Sequence, residues 1–277
     1  MRASGPRAFD RYVVLVDLAP RSMVVTRRLH VIGIGAGSAS FVTAEAAAAI
    51  ADTDVFVVID KGADKADLQV VRREILGRFA GSKPFRVLVI EDAERDDRLP
   101  YAEAVAQWHA ARVLAFERVL ADEVADGEMS GILVWGDPSL YDSTLRIVDQ
   151  VNEGGRVRVD HTVFPGISSI QVLTARHRIP LNRIGGSVLV TTGRRLRDGL
   201  PDDVDDVVVM LDADVSFTTL VGHGFEIFWG AYLGTPDEIL IRGPLDEVAA
   251  EIVEVRAAAR VAKGWMFDTY LLRRLSS

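Results

Sequence analysis

The sequence predicts an α/β fold built as two successive units. Three features predict it: short apolar runs alternate with longer helical patterns, turn residues bound each run, and strands resume after a turn-rich break at Ile179–Gly186 (IPLNRIGG). The chain has 277 residues, 49% hydrophobic and 26% charged, which suffices for two modest cores and marks a globular protein.

In the first unit the apolar runs Leu29–Ile34, Val55–Ile59, Phe85–Ile90, Gly131–Trp135 and Val157–Val159 read as strands. The intervening patterns Phe41–Ala51, Asp67–Phe79, Ala102–Ala125 and Leu140–Val151 read as helices, and the alanine run Ala46–Ala49 favours the first of them. The second unit offers strands at Ser187–Thr191, Val207–Leu211, Glu226–Trp229, Glu238–Arg242 and Trp265–Leu272, with an amphipathic helix at Ala249–Ala262. This divides the chain into an extension over residues 1–26, a first α/β domain over 27–170 and a second over 171–277.

The extension is expected to be disordered, and Met23, directly before the first strand, offers an alternative start. Its apolar run Tyr12–Val16 is short, is followed by Asp17 and lacks a small-residue cleavage site, so it does not read as a signal peptide. No segment reaches the ~18 apolar residues that span a bilayer, and the expectation is a cytoplasmic protein without a membrane partner.

A net charge of −8 disfavours a nucleic-acid partner, which calls for a basic face, but leaves room for an anionic small molecule held by a few arginines. The absence of cysteine excludes disulfides, thiolate zinc sites and thiol catalysis. His30, His109, His161, His177 and His223 show no metal-ligand spacing, so no metal is expected.

Three strand-end loops carry the chemical interest. The first is VIGIGAG at Val31–Gly37, where Gly33, Gly35 and Gly37 allow a tight turn and close backbone approach to a ligand. As a dinucleotide fingerprint it is imperfect, because Ser38 stands where GxGxxG needs its third glycine. The second, WGDPSLYDST at Trp135–Thr144, also reads as a turn with Asp137 as helix cap and Pro138 at the first helical position. The third, FPGISS at Phe164–Ser169, also reads as a turn followed by a serine cap, and it lacks the G-x-S-x-G nucleophile pattern. Each loop alone is weak evidence of a site.

Together and in this order the loops resemble the tetrapyrrole methylases. VVVML at Val207–Leu211, GTPDE at Gly234–Glu238 and GPL at Gly243–Leu245 add to the resemblance, which covers about residues 29–248. It implies two α/β domains, S-adenosylmethionine bound in a cleft between them, and a homodimer. It places cofactor contacts at Gly33, Gly35, Ala36 and Gly37, at Gly136, Asp137 and Leu140, at Ser168 and Ser169, and at Met210 and Gly234. Members often carry Pro at the position of Ala36 and Asp at that of Ser38.

The segments KGADKADLQVVRREIL, IEDAERDDRLPYAEAVAQWHAARVLAFE, TVFPGISSIQVLTARHRIPLN and GWMFDTYLLRR resemble one branch of the family. That branch methylates carbon 1 of precorrin-5 and releases acetate, giving precorrin-6A in cobalamin biosynthesis. The resemblance thus implies an S-adenosylmethionine-dependent C-methyltransferase. The alternatives are another precorrin methyltransferase of the family, or a non-catalytic tetrapyrrole- or nucleotide-binding protein. Methyl transfer from a sulfonium to an electron-rich carbon rests on positioning and water exclusion, so no catalytic triad is required, and none is apparent. A substrate rich in carboxylates calls for arginines, and Arg194, Arg195 and Arg197 are the first candidates, ahead of Arg72, Arg73, Arg176 and Arg178. Acetate release needs a water and a base. The sequence leaves Tyr141, Asp142 and His109 open for that role.

Overall fold

A computed structural model describes residues 24–60, 66–93, 98–201 and 204–275. Of the extension expected over residues 1–26, residues 1–23 lie outside the described residues, whereas Val25 and Thr26 already belong to the first strand.

Strands β1 (Val25–Gly33), β2 (Val55–Asp60), β3 (Arg86–Glu91), β4 (Met129–Val134) and β5 (Val157–Phe164) form one parallel sheet in the order β3-β2-β4-β1-β5. Helices α1 (Ala44–Asp52), α2 (Ala66–Phe79), α3 (Tyr101–Asp122) and α4 (Thr144–Gly154) make the crossovers. Parallel strands need such connections, and a sheet covered on both faces needs apolar residues on both. β1 accordingly ends in five consecutive buried residues. One face packs Leu29 and Val31 against Phe116, Leu120 and Val148, the other Ile32 and Ile34 against Ala46, Ile50 and Ile75.

β1 begins at Val25, ahead of the apolar run. Its polar start Thr26-Arg27-Arg28 pairs with Arg158–Asp160 of β5, and the buried Arg27 donates to the Leu120 carbonyl and pairs with Asp126. An ion-paired arginine hides this stretch from a reading based on hydrophobicity.

The second sheet is mixed rather than parallel. It comprises β6 (Val188–Thr192), β7 (Asp206–Met210), β8 (Phe225–Ala231), β9 (Ile239–Pro244) and β10 (Asp268–Arg274) in the order β6-β7-β10-β8-β9. Only β6 and β7 run parallel; β10 runs antiparallel to both β7 and β8, and β8 to β9. Helix α7 (Leu245–Lys263) buries Leu245, Ala249 and Ile252 and ends at Gly264 in the left-handed conformation that favours glycine.

Two short helices depart from the expected pattern. α5 (Ser169–His177) packs Ile170, Val172 and Leu173 with Val208, Phe228 and Leu271 of the second sheet, so Ser169 and Ile170 sit with that sheet. α6 (Gly193–Arg197) occupies what reads as a loop. α6, at five residues, is too short for a helical pattern to be read.

Candidate functional site

The strand order of the first sheet makes the site. β4, β1 and β5 are adjacent, with Gly33 beside Val134 and Ile32 beside Phe164, so the loops after these strands emerge side by side. Carboxyl ends of parallel strands are where open α/β sheets bind ligands.

The loops are locked by glycine packing. Gly35 and Gly136 exchange backbone hydrogen bonds of 3.1 and 2.9 Å. A Cβ on Gly166 would lie 2.0 Å from the Gly136 carbonyl oxygen, and one on Gly33 would lie 2.5 Å from the Gly166 nitrogen. Asp137 ties the remaining ends: its carboxylate accepts Ser139 N and Gly166 N, each at 2.9 Å, and the Ser139 hydroxyl. Burial pushes the Asp137 carboxyl up, but these donors hold it below its ordinary value.

Asp137 therefore caps a turn rather than a helix. α4 does not start until Thr144, because Tyr141 takes a left-handed backbone (φ 52°) and Asp142 accepts the Thr144 N–H at 2.7 Å. Ser168 is the N-cap of α5, in a reciprocal capping box with Gln171. Ser169, the first residue of α5, meets Thr269 of β10 at 3.0 Å through their hydroxyls, tying the end of the third loop to the second sheet.

The first loop touches the second domain directly. A Cβ on Gly37 would lie 2.6 Å from the Leu233 carbonyl oxygen, and one on Gly234 would lie 2.1 Å from that of Ala36. Both glycines have positive φ.

Between these loops and the second sheet lies a cavity of about 270 Å³. Of the residues expected to contact a cofactor, Ala36, Gly136, Asp137, Leu140, Ser168, Ser169 and Met210 line it. Gly33, Gly35, Gly37 and Gly234 do not; they stand behind the wall as close-packing points.

The rest of the wall was not singled out from the sequence as cofactor-contacting. It includes Trp135, Leu211, Tyr232, Trp265, Phe267 and Asp268. Trp265–Phe267 reads as the start of the last strand but runs as a loop, held where Tyr232 donates its N–H to Phe267 O (2.9 Å) and its hydroxyl to Trp265 O (2.7 Å). Asp268, at the start of β10, pairs with Arg256 at 2.8 Å and accepts the Trp229 indole N–H at 3.1 Å. Burial raises its carboxyl against the pull of Arg256.

Backbone strain concentrates here. Tyr141, Leu211 and Tyr232, all on the wall, have φ near +50°, costly for bulky side chains. Such outliers collect at ligand sites, where surrounding structure holds them in place.

Tyr141 and Asp142 line the cavity, whereas His109 faces a separate surface depression between α3 and α4. Burial raises the Tyr141 phenol, which suits it as a hydrogen-bond donor rather than a base. Arg194, Arg195 and Arg197 lie on exposed positions of α6, outside the cavity wall. Arg195 is 3.7 Å from Asp198 and Arg197 is 2.9 Å from Asp214. Their helix starts three residues past Val190, whose carbonyl accepts a 3.4 Å bond from the Tyr141 hydroxyl. Arg176 pairs with Glu238 at 2.8 Å, and Arg178 closes α5 in a left-handed conformation.

The profile of the Tetrapyrrole (Corrin/Porphyrin) Methylases matches residues 28–249, a span that contains all three loops and most of both sheets.

The chain belongs to the tetrapyrrole methylase family.

Within that family it is 43% identical over 249 residues to a precorrin-6A synthase [deacetylating] from Sinorhizobium sp., spanning 90% of this chain and 95% of that protein. Among solved structures, a cobalamin synthesis related protein (CobF) from Corynebacterium diphtheriae superimposes with a TM-score of 0.78 at 35% identity, covering 91% of this chain and 100% of that one. A uroporphyrin-III C-methyl transferase from Thermus thermophilus, solved in complex with S-adenosylhomocysteine, shares the fold at a TM-score of 0.55 and 18% identity, covering 89% and 97%. This tetrapyrrole methylase thus has the two-sheet architecture of its relatives.

Proposed function

We propose that this methylase transfers the methyl group of S-adenosylmethionine to carbon 1 of precorrin-5 and releases acetate, giving precorrin-6A. The observation that carries the reading is the 43% identity with a deacetylating precorrin-6A synthase across nearly the whole of both chains. S-adenosylmethionine supplies a methyl group open to in-line displacement at its sulfonium. The protein's part is to hold, orient and keep out water.

The cleft suits that part. Its wall is largely apolar and aromatic, with Trp135, Leu140, Met210, Leu211, Trp265 and Phe267 as water-excluding surfaces. Ala36, Gly136, Asp137, Leu140, Ser168, Ser169 and Met210 are assigned to contact the cofactor. Gly33, Gly35, Gly37 and Gly234 act by allowing the loops to close. Acetate release consumes a water, and the carboxyl groups on the wall are those of Asp137, Asp142 and Asp268.

The same reading implies a homodimer in the cytoplasm. Among the described residues, no helix is long and apolar enough to cross a membrane.

Incubating the protein with precorrin-5 and S-adenosylmethionine, followed by mass spectrometry and an acetate assay, tests the reading. Gain of one methyl with loss of one acetyl is expected. A methylated product without acetate points to a sibling reaction, and binding without turnover to a non-catalytic protein.

A further inference from the structure

A second, smaller crevice opens beside the cleft. It measures about 60 Å³, room for a few water molecules, and lies at the carboxyl ends of β2 and β4 under α2. Trp135 and Asp142 line both it and the large cavity, so the two are neighbours across a shared wall. Arg72, Arg112, Ser143 and Thr144 supply most of its polar lining.

The arginines differ. Arg112 is satisfied: its guanidinium grips Asp92 with bonds of 2.6 and 2.5 Å and stacks 3.6 Å from the Trp108 ring centroid. Buried Arg27 and Arg256 and the nearly buried Arg273 each hold a carboxylate at hydrogen-bond distance. Half-buried Arg72 has no ion pair or hydrogen bond among the described residues. Asp142 acts on it only through space, and the Asp142 carboxylate is itself engaged by the Thr144 N–H. Burial lowers the Arg72 guanidinium from its ordinary value, against the upward pull of Asp142. Ser143, though at the N-cap of α4, makes no side-chain capping bond.

A half-buried guanidinium without a carboxylate, beside an uncommitted hydroxyl, is a receptor for a carboxylate. We propose that this crevice is an anchoring subsite for one carboxylate side chain of the tetrapyrrole substrate, held by Arg72 and Ser143, and that Arg72 is a specificity-determining residue. The assignment rests on the function proposed above. A carboxylate seated there fixes the macrocycle against the shared wall at Trp135, next to the cofactor cavity. It leaves the cofactor's own contacts untouched.

The test is steady-state kinetics with precorrin-5 at saturating S-adenosylmethionine, with cofactor affinity measured by calorimetry. A shielded charge-assisted bond contributes enough that Arg72→Gln raises the substrate KM by about tenfold or more. kcat and the S-adenosylmethionine Kd stay within about twofold, since the lost contact is made equally in ground and transition states. Arg72→Lys recovers part of the loss, keeping the charge but not the planar fork. Ser143→Ala raises KM by a few-fold and serves alone if Arg72→Gln does not fold. An unchanged KM in folded Arg72→Gln, or in Ser143→Ala where the former is unfolded, overturns the subsite. So does a parallel loss of cofactor affinity. Wild-type protein that does not turn over precorrin-5 overturns the proposed function first and the subsite with it.

Discussion

The carboxylate of Asp137 accepts the backbone N–H of Gly166 at 2.9 Å, tying the loop after β4 to the loop after β5. Its other oxygen takes Ser139 N at 2.9 Å, so one side chain shapes one loop and fastens it to the next. Asp137→Ala leaves these donors without their partner and is expected to weaken S-adenosylmethionine binding by about 1–3 kcal/mol. Calorimetry reads this directly. Wild-type affinity in the variant means the tie does not shape the cofactor site.

The contact of Gly37 and Gly234 across the domains is expected to tolerate no side chain. Gly234→Ala puts a Cβ 2.1 Å from the Ala36 carbonyl oxygen at a φ of +80°. Overpacking of this kind costs about 1–3 kcal/mol, and the left-handed backbone about 1–2 more. A melting temperature lower by roughly 5–15 °C follows for a chain of this size. An unchanged Tm shows that the two loops part readily.

Acid stability should track two buried histidines. Burial keeps the imidazoles of His30 and His177 below the ordinary 6.5, against the upward pull of the Ala49 and Trp229 carbonyls. Between the lowered folded values and 6.5 the unfolded chain binds more protons, so stability rises with pH through that window and is lost as pH falls through it. Urea melts at several pH values below neutrality should show a shallower slope in His30→Gln and His177→Gln than in wild type. Identical slopes remove the histidines from the account.

Arg194, Arg195 and Arg197 are proposed to act on the anionic substrate from the rim. Exposed charges act weakly and are screened over about 8–10 Å at physiological salt. Arg194→Gln with Arg195→Gln is therefore expected to raise the substrate KM at low ionic strength, with the difference fading as salt rises. Equal KM at all salt concentrations makes them surface charges without a role in binding.

The parallel first domain was legible because its strands are apolar on both faces and its helices long enough to show their period. The mixed second sheet was not. Antiparallel β10 lies between β7 and β8, a placement no local pattern encodes. β1 was read four residues short because Arg27 is buried through partners about a hundred residues away, Leu120 and Asp126.

The site divides in the same way. Residue order alone marked the glycines of the first loop, Asp137 and the two serines of the third, because turns, caps and close approaches demand those residue types locally. Only the tertiary structure separated Ala36, Gly136 and Met210, which face the cavity, from Gly33, Gly35, Gly37 and Gly234, which pack behind it. Only it brought Trp265, Phe267 and Asp268 to the wall, and only it left Arg72 without a carboxylate. The reason is physical: backbone conformation follows from a residue and its near neighbours, whereas exposure to a cavity depends on strand order and on which distant side chains fill the remaining space.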